Sequence, residues 1–429
     1  MLLDLSATLA TDDFAHRARH PDWPGAFTRT RSLPLPALVA SLLSMRSSSQ
    51  QVLLDSFFAR LCGDGALLRV VSDRAFAQAR ARLHAPALSW LNDRLLAGAD
   101  AAGLVTRWQG LRLVAADASV LMPAVRRCHL SRSAAGADQR LFALYLPAAE
   151  LTLHAAVHSG AESERAMLVQ ALDKLAPDDV LLLDRGYPAA WLINLLNERG
   201  VRFIMRCDTA GSGSWPALRA FMRGDQTEAV VRLSAPKQQD ANDWGCSNQA
   251  PTVRLVRNTA TGAHLRVLLT NLPADQVPAG AFGALYHQRW RIEEAFKRLK
   301  HRLHLEAVSG LSQHALLVDV AAKVLADNIA ALMCLAAQDA AQLPANRRCQ
   351  RTHADAAVRA VLPRVLLAVG DVLGLIDDTL QLIARTVHRI TPGRCAPRDP
   401  GRSKPHPRLA YRQCTELKRP DGRIQTVSC

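Results

Sequence analysis

Apolar positions recur at helical spacing through the first quarter of the chain, then give way to short runs typical of strands. The periodicity predicts helices near 35–46, 50–61, 73–83 and 86–102, with Pro34, Pro36 and Pro86 near their starts and Ser72 capping the third. From residue 108 the pattern changes. "LRLVAADAS" (111–119) reads as a strand ending in an aspartate, and "RLFALYLPAAELTLHAAVH" (140–158) as two strands with a turn near Pro147. "SERAMLVQALDKL" (163–175) reads as a helix, and "DVLLLDRGY" (179–187) as a short apolar strand ending at Asp184. An unbroken Val/Leu run of this kind fits a central strand covered on both faces. A helix closed by Gly200 and a strand at 201–206 follow. Three strands, helix, strand, helix, strand predict a mixed α/β sheet. Runs at 228–233, 252–257 and 265–270 predict three more strands, a β insertion at about 207–280. Helix returns at 315–337 and 344–390, and the Pro-, Gly- and Arg-rich tail from 391 predicts loose order.

"LYHQRWRIEEAFKRLKHRL" (285–303) predicts one continuous amphipathic helix. Leu285, Ile292, Phe296, Leu299 and Leu303 fall on one narrow apolar face. Tyr286, Arg289, Glu293 and Lys300 line the edge of that face. Glu294 points to the solvent side among Arg291 and Arg298, where pairing along the helix explains it. Arg289, four residues before Glu293, is a ready partner for it. Geometry alone therefore leaves a structural ion pair and a functional acid both open.

The balance of charge narrows the function. The net charge is +15, and only 7 of the 53 Lys and Arg residues are Lys. An excess this large points to a polyanion such as nucleic acid, or to a membrane surface. Residues 385–429 carry eleven Lys and Arg against three Asp and Glu. Arg74, Arg80 and Arg82 decorate the helix at 73–83, which either enters a DNA groove or presents a solvated basic face. A membrane span is not expected, because Asp319, Lys323 and Asp327 interrupt the most apolar helix as one polar stripe with ion pairs along it. The nine cysteines include no C-x-x-C pair, which fits reduced thiols in a cytoplasmic protein. Cys349 and His353 lack the second pair that a zinc site needs. Gly211 and Gly213 do not stand between a strand and a helix, so no phosphate loop is expected there.

Asp117 and Asp184 each close an apolar strand, at the edge where α/β sheets bind ligands. With Glu293 they make three hard oxygen ligands of the type magnesium takes. Carboxylates gathered this closely repel unless a cation sits among them. Two such ions would suit phosphodiester displacement, with the basic residues of the same helix edge holding the phosphates.

These residues resemble the DDE transposases of bacterial insertion sequences, in the insertion-sequence-four family. That family carries Y-x2-R-x3-E-x6-K on the helix of its third acid, here Tyr286, Arg289, Glu293 and Lys300. "LLLDRGY" around Asp184 looks like the second-acid segment, and "RLVAADAS" around Asp117 resembles the first, with Ala118 where the family usually has Gly. The resemblance covers residues 27–330 well and the tail poorly. It implies an RNase H-like catalytic core at 108–335, preceded by a helical DNA-binding domain at 1–107 and followed by a helical, basic region at 336–429. It further implies that Asp117, Asp184 and Glu293 bind two Mg2+, with Mn2+ as a substitute. Tyr286, Arg289 and Lys300 would contact phosphates, and Arg74 and Arg80 would hold DNA. Trp215 is a candidate for stacking on a flipped base, against the alternative of local packing. The implied activity is cleavage at terminal inverted repeats and joining of 3′-hydroxyl ends to target DNA, by a homodimer assembled on double-stranded DNA in the bacterial nucleoid. Two alternatives stay open: a nuclease or resolvase on the same core, and a transposase-derived DNA-binding protein without catalysis.

Overall fold

The computed structural model describes residues 1–29, 31–45, 49–63, 65–121, 139–207, 215–258, 266–310, 312–391, 416–418 and 424–426. They form two compact units. One is built from residues 96–120 and 139–298, and the other from 1–95, 121–138 and 299–429. Gly211, Gly213 and most of the basic tail lie outside the described residues.

The first unit is organised by a sheet. Its strands are β1 (Arg112–Leu121), β2 (Gln139–Leu146), β3 (Leu151–Ser159), β4 (Asp179–Leu183), β5 (Arg202–Cys207), β6 (Glu228–Arg232), β7 (Thr252–Asn258) and β8 (Arg266–Thr270). They lie side by side in the order β3-β2-β1-β4-β5-β8-β7-β6. β1 and β4 pair in parallel, as do β4 and β5, whereas β2–β3, β5–β8, β8–β7 and β7–β6 are antiparallel. This is the mixed α/β core expected from the sequence, RNase H-like in the order of its first five strands. The three strands read as an insertion continue the same sheet beyond β5.

The buried face of this sheet explains the composition of its strands. Every residue of β4 is buried, and so are Phe203, Ile204 and Met205 of β5. Arg112 and Asp179, at the start of β1 and β4, form a buried bidentate pair at 2.5 and 2.9 Å. At the other end of the parallel pair the last registered partners are Ala115 and Leu182. Asp117 stands two residues past Ala115, and Asp184 two past Leu182, so the same register carries both acids to one edge. Asp117 does not end its strand, as the sequence suggested, because β1 runs on to Leu121 beyond its pairing with β4.

The second unit is mainly helical. Residues 1–101 hold α1 (Leu2–Leu9), α2 (Asp12–Arg17), α3 (Leu35–Ser44), α4 (Gln50–Cys62), α5 (Asp73–Ala81) and α6 (Ala85–Ala101). Ser72 caps α5 as predicted, accepting the Ala75 N–H. The remaining helices of the first unit are α7 (Glu164–Gln170), α8 (Ala190–Glu198), α9 (Pro216–Arg223), α10 (Gln238–Trp244), α11 (Phe282–His287) and α12 (Arg291–Lys297). Those after residue 299 are α13 (Gln313–Ala340), α14 (Arg351–Leu366) and α15 (Val372–Arg385).

α13 is the predicted apolar helix, and it packs against α3, α14 and α15. It is long and apolar enough to cross a membrane, yet 83% of its most apolar stretch is buried within the protein. Its polar stripe is buried too, and each of its three charges has a partner outside the helix. Asp319 accepts from the Ser309 N–H and hydroxyl, Lys323 donates to the His304 and Ala307 carbonyls, and Asp327 pairs with Arg351. Buried charges need such partners.

Arg80 also departs from expectation. It is 7% exposed, and its guanidinium donates to the Ser309 carbonyl at 2.6 Å and to the Ser309 hydroxyl. Position 80 lies on the same side of α5 as the buried Phe76 four residues earlier, which carries it inward. A Cβ on Gly310 would strike that guanidinium, so the glycine makes room for it. Arg74 is exposed, as read.

Candidate active site

The stretch read as one helix is divided. α11 passes through a 3-10 turn at Gln288–Trp290 into α12, which ends in a π turn at Arg298–Arg302. Tyr286 is buried, and its hydroxyl donates to the Leu183 carbonyl at 3.2 Å, at the last residue of β4. The phenol therefore satisfies a strand end, which is why it turns inward from the edge where the helical wheel placed it. Burial pushes its pKa up to about 12, offset in part by Arg289.

Arg289 is the hinge of the site. It is 7% exposed and lies between two of the predicted acids, 3.5 Å from Asp117 Oδ2 and 3.4 Å from Glu293 Oε1. Burial opposes its charge, but Tyr286, Asp117, Asp184 and Glu293 outweigh that and hold its pKa above the ordinary value. The structure thus brings Asp117, Arg289 and Glu293 together. Lys300 is half-buried in the π turn, near Glu306 at 4.0 Å, and burial lowers its pKa. Glu294 faces outward, as read, but its ion-pair partner is Lys297. Arg291 and Arg298 are drawn off to the Pro147 carbonyl and the Tyr145 hydroxyl. Trp215 is half-buried at the start of α9.

Both aspartates are held by their own backbone. Asp117 Oδ1 accepts the Ala118 N–H at 2.8 Å, and Asp184 Oδ1 accepts the Gly186 N–H at 2.7 Å. Burial pushes the Asp117 carboxyl up to about 7, against Arg289 and the Ala118 N–H, with Asp184 and Glu164 adding to the rise. The acids therefore feel one another. Their oxygens are the hard donors that a divalent cation takes. Among the described residues, no three His, Cys, Asp or Glu side chains are gathered closely enough to hold a metal ion as they stand, and Arg289 supplies positive charge between the first and third acids.

Two neighbours of the site were not singled out in the sequence. Glu164 opens α7, half-buried, and Arg140 lies 3.5 Å from its Oε1. Burial and the charge of Asp184 raise its pKa. Tyr187 is fully buried, and among the described residues its hydroxyl has no hydrogen-bond partner. Burial raises its pKa well above the ordinary value, and the charges of Glu164, Asp117 and Asp184 add to this. The available signals were faint. Glu164 looked like an ordinary first-turn acid after its cap Ser163, and Tyr187 was the aromatic closing "LLLDRGY".

The mixed sheet thus brings two aspartates to one edge, and a shared arginine links the first of them to a glutamate on the following helical segment. Residues 110–329 match the model of the transposase DDE domain, which is just over half of the chain, and the protein belongs to that family. It is 25% identical over 174 residues to the transposase InsG of insertion sequence element IS4 from Escherichia coli K12, covering 40% of this chain and 38% of that one. It is 52% identical over 42 residues to the Escherichia coli transposase of insertion sequence element IS421, covering 10% and 11%. The chain thus matches well under two thirds of the length of these curated relatives. A solved piggyBac transposase synaptic complex with hairpin DNA aligns with a TM-score of 0.43 and 11% identity, over 89% of this chain and 85% of that one.

Proposed function

We propose that the protein is a cut-and-paste transposase that cleaves DNA at the terminal inverted repeats of an insertion sequence and joins the 3′-hydroxyl ends to target DNA. The observation that carries this reading is the parallel register that takes Asp117 and Asp184 to one sheet edge, with Arg289 linking Asp117 to Glu293. The donor set fits Mg2+ or Mn2+. All three acids offer carboxylate oxygens, and the buried Tyr187 hydroxyl, in the field of Asp117 and Asp184, lacks a partner among the described residues. Asp117, Asp184 and Glu293 would hold two ions. Bound there, such ions supply Lewis acidity and charge neutralisation for in-line displacement at phosphorus.

The chain's own residues do the rest. The Ala118 and Gly186 N–H groups fix one oxygen of each aspartate, and the other oxygen of Asp117 lies at Arg289. Arg289 spans Asp117 and Glu293 and sets their separation, and Tyr286 ties this helical segment to the end of β4. Arg289 and Lys300 would neutralise phosphate oxygens of the transferred strand. The helical residues 1–107, with Arg74 exposed, and the basic region 336–429 would grip the duplex outside the cut, and Trp215 would stack on an unpaired base. The working form would be a homodimer on paired ends, acting on chromosomal DNA in the cytoplasm.

The test is a paired-end assay, using duplexes that carry the repeats flanking the gene together with a supercoiled target. Joined products that require Mg2+ or Mn2+ are expected. Cleavage without joining would favour a nuclease or resolvase, and binding without cleavage a non-catalytic DNA-binding protein.

A further inference from the structure

We propose that Glu164 is a fourth carboxylate of this site and helps Asp184 hold a divalent cation. The inference rests on the reading of Asp117, Asp184 and Glu293 as the metal-holding acids. Its starting point is Gly186. A Cβ built there would lie 3.1 Å from Asp184 Oδ1, the oxygen that accepts the Gly186 N–H, and 3.8 Å from Glu164 Oε2, so an oxygen of each acid borders the same glycine.

The fold places Glu164 there deliberately. Ser163 caps α7 by accepting the Ala166 N–H, and the next residue, Glu164, begins the helix. Arg165 then donates to the Tyr187 and Pro188 carbonyls at 3.1 and 3.3 Å, which clamps the first turn of α7 to the loop after β4. Arg140 approaches Glu164 through Oε1, and Oε2 is the oxygen on the Asp184 side. A simple surface pair with Arg140 would not need the second oxygen turned towards another acid.

Tyr187 is the independent observation. Its hydroxyl is entirely buried and has no hydrogen-bond partner among the described residues, in the field of Glu164, Asp117 and Asp184. A buried donor left unsatisfied is costly, and native proteins seldom keep one without a ligand or water to receive it. A cation on Glu164 and Asp184 would bring coordinated water or a phosphate oxygen within the pocket, which gives that donor an acceptor.

The experiment is calorimetric titration of the full chain with Mn2+ alone, without DNA, alongside thermal melts at each Mn2+ concentration. Glu164→Gln keeps an oxygen for Arg140 but loses the charge, and it is expected to weaken Mn2+ binding about tenfold or more. Glu164→Asp, which keeps the charge, should recover part of that loss, and the outward-facing Glu294→Gln should titrate like the parent. Tyr187→Phe should melt no lower than the parent without metal, because it removes an unsatisfied group, and should gain less from Mn2+. Parent-like Mn2+ binding by Glu164→Gln, while Asp184→Asn loses it, overturns the inference and leaves the three-acid site standing. A parent protein that shows no saturable Mn2+ binding overturns both.

Discussion

Two adjacent glutamates on one helix illustrate how little the residue type decides by itself. Glu293 shares Arg289 with Asp117, whereas Glu294 faces solvent beside Lys297. Glu293→Gln is therefore expected to lower end cleavage by at least about a hundredfold, the scale on which electrostatic groups at a reacting centre act. Glu294→Gln should stay within about twofold, as exposed pairs contribute little. Gel assays of cleaved ends measure both, and the reverse ranking would sink the assignment of the third acid. A second residue-scale effect lies away from the site. Burial, with Lys174 and His158 adding to it, lowers the pKa of His154 on β3 to about 4. Its folded pKa lies below the ordinary value of 6.5, so the fold favours the neutral ring. That contribution is complete above pH 6.5 and is lost as pH falls towards 4. Denaturant melts of the parent and His154→Gln should diverge across this window, by no more than about 3 kcal/mol. Parallel curves would show that the ring titrates alike in both states.

Elements were more legible than their partners. Apolar runs located β2, β3, β4, β5 and the three later strands, because period-two burial and Val/Leu runs depend only on the local sequence. The same spacing identified α3 to α6 and the long α13. Short helices such as α9 and α10, and the 3-10 and π turns around α12, were not visible, since they are set by tertiary contacts. The partners of buried charges were equally hidden. Arg80 reads as a surface residue until Ser309 is placed against it, and Asp319 as a member of a stripe until the same Ser309 is seen to satisfy it. For the site, pattern and resemblance pointed to the strand-borne aspartates and Glu293, and the fold brings Asp117 and Glu293 to one arginine. Glu164 could not be read this way, because nothing along the chain links the first turn of α7 to the loop after β4. That link makes the cap consequential. Ser163→Ala should destabilise the fold by about 1 kcal/mol, as loss of an N-cap does, measured as an earlier denaturant midpoint with an unchanged slope. If the midpoint does not move, the cap is not holding α7 in place.

At the scale of the whole chain the question is what a net charge of +15 is for. Charge spread evenly over a surface would serve solubility, while charge meant for DNA must meet phosphates and release counterions. The two differ in their response to salt. Each phosphate contact contributes about 0.9 to the slope of log K against log salt on duplex DNA. Residues 392–429 carry nine Lys and Arg against three Asp and Glu, a density unmatched by the sheet-bearing segment. If this segment grips the duplex, a chain ending at residue 391 should bind an end-bearing duplex with a slope shallower by several units than the full chain. Its discrimination between repeat-bearing and unrelated duplexes should change little, because phosphate contacts position a protein without reading sequence. Fluorescence anisotropy over a salt series on both duplexes separates the two quantities. An unchanged slope would assign the excess charge to solubility in the tail and place the phosphate contacts among residues 1–391. A loss of discrimination with an unchanged slope would mean instead that the tail reads bases.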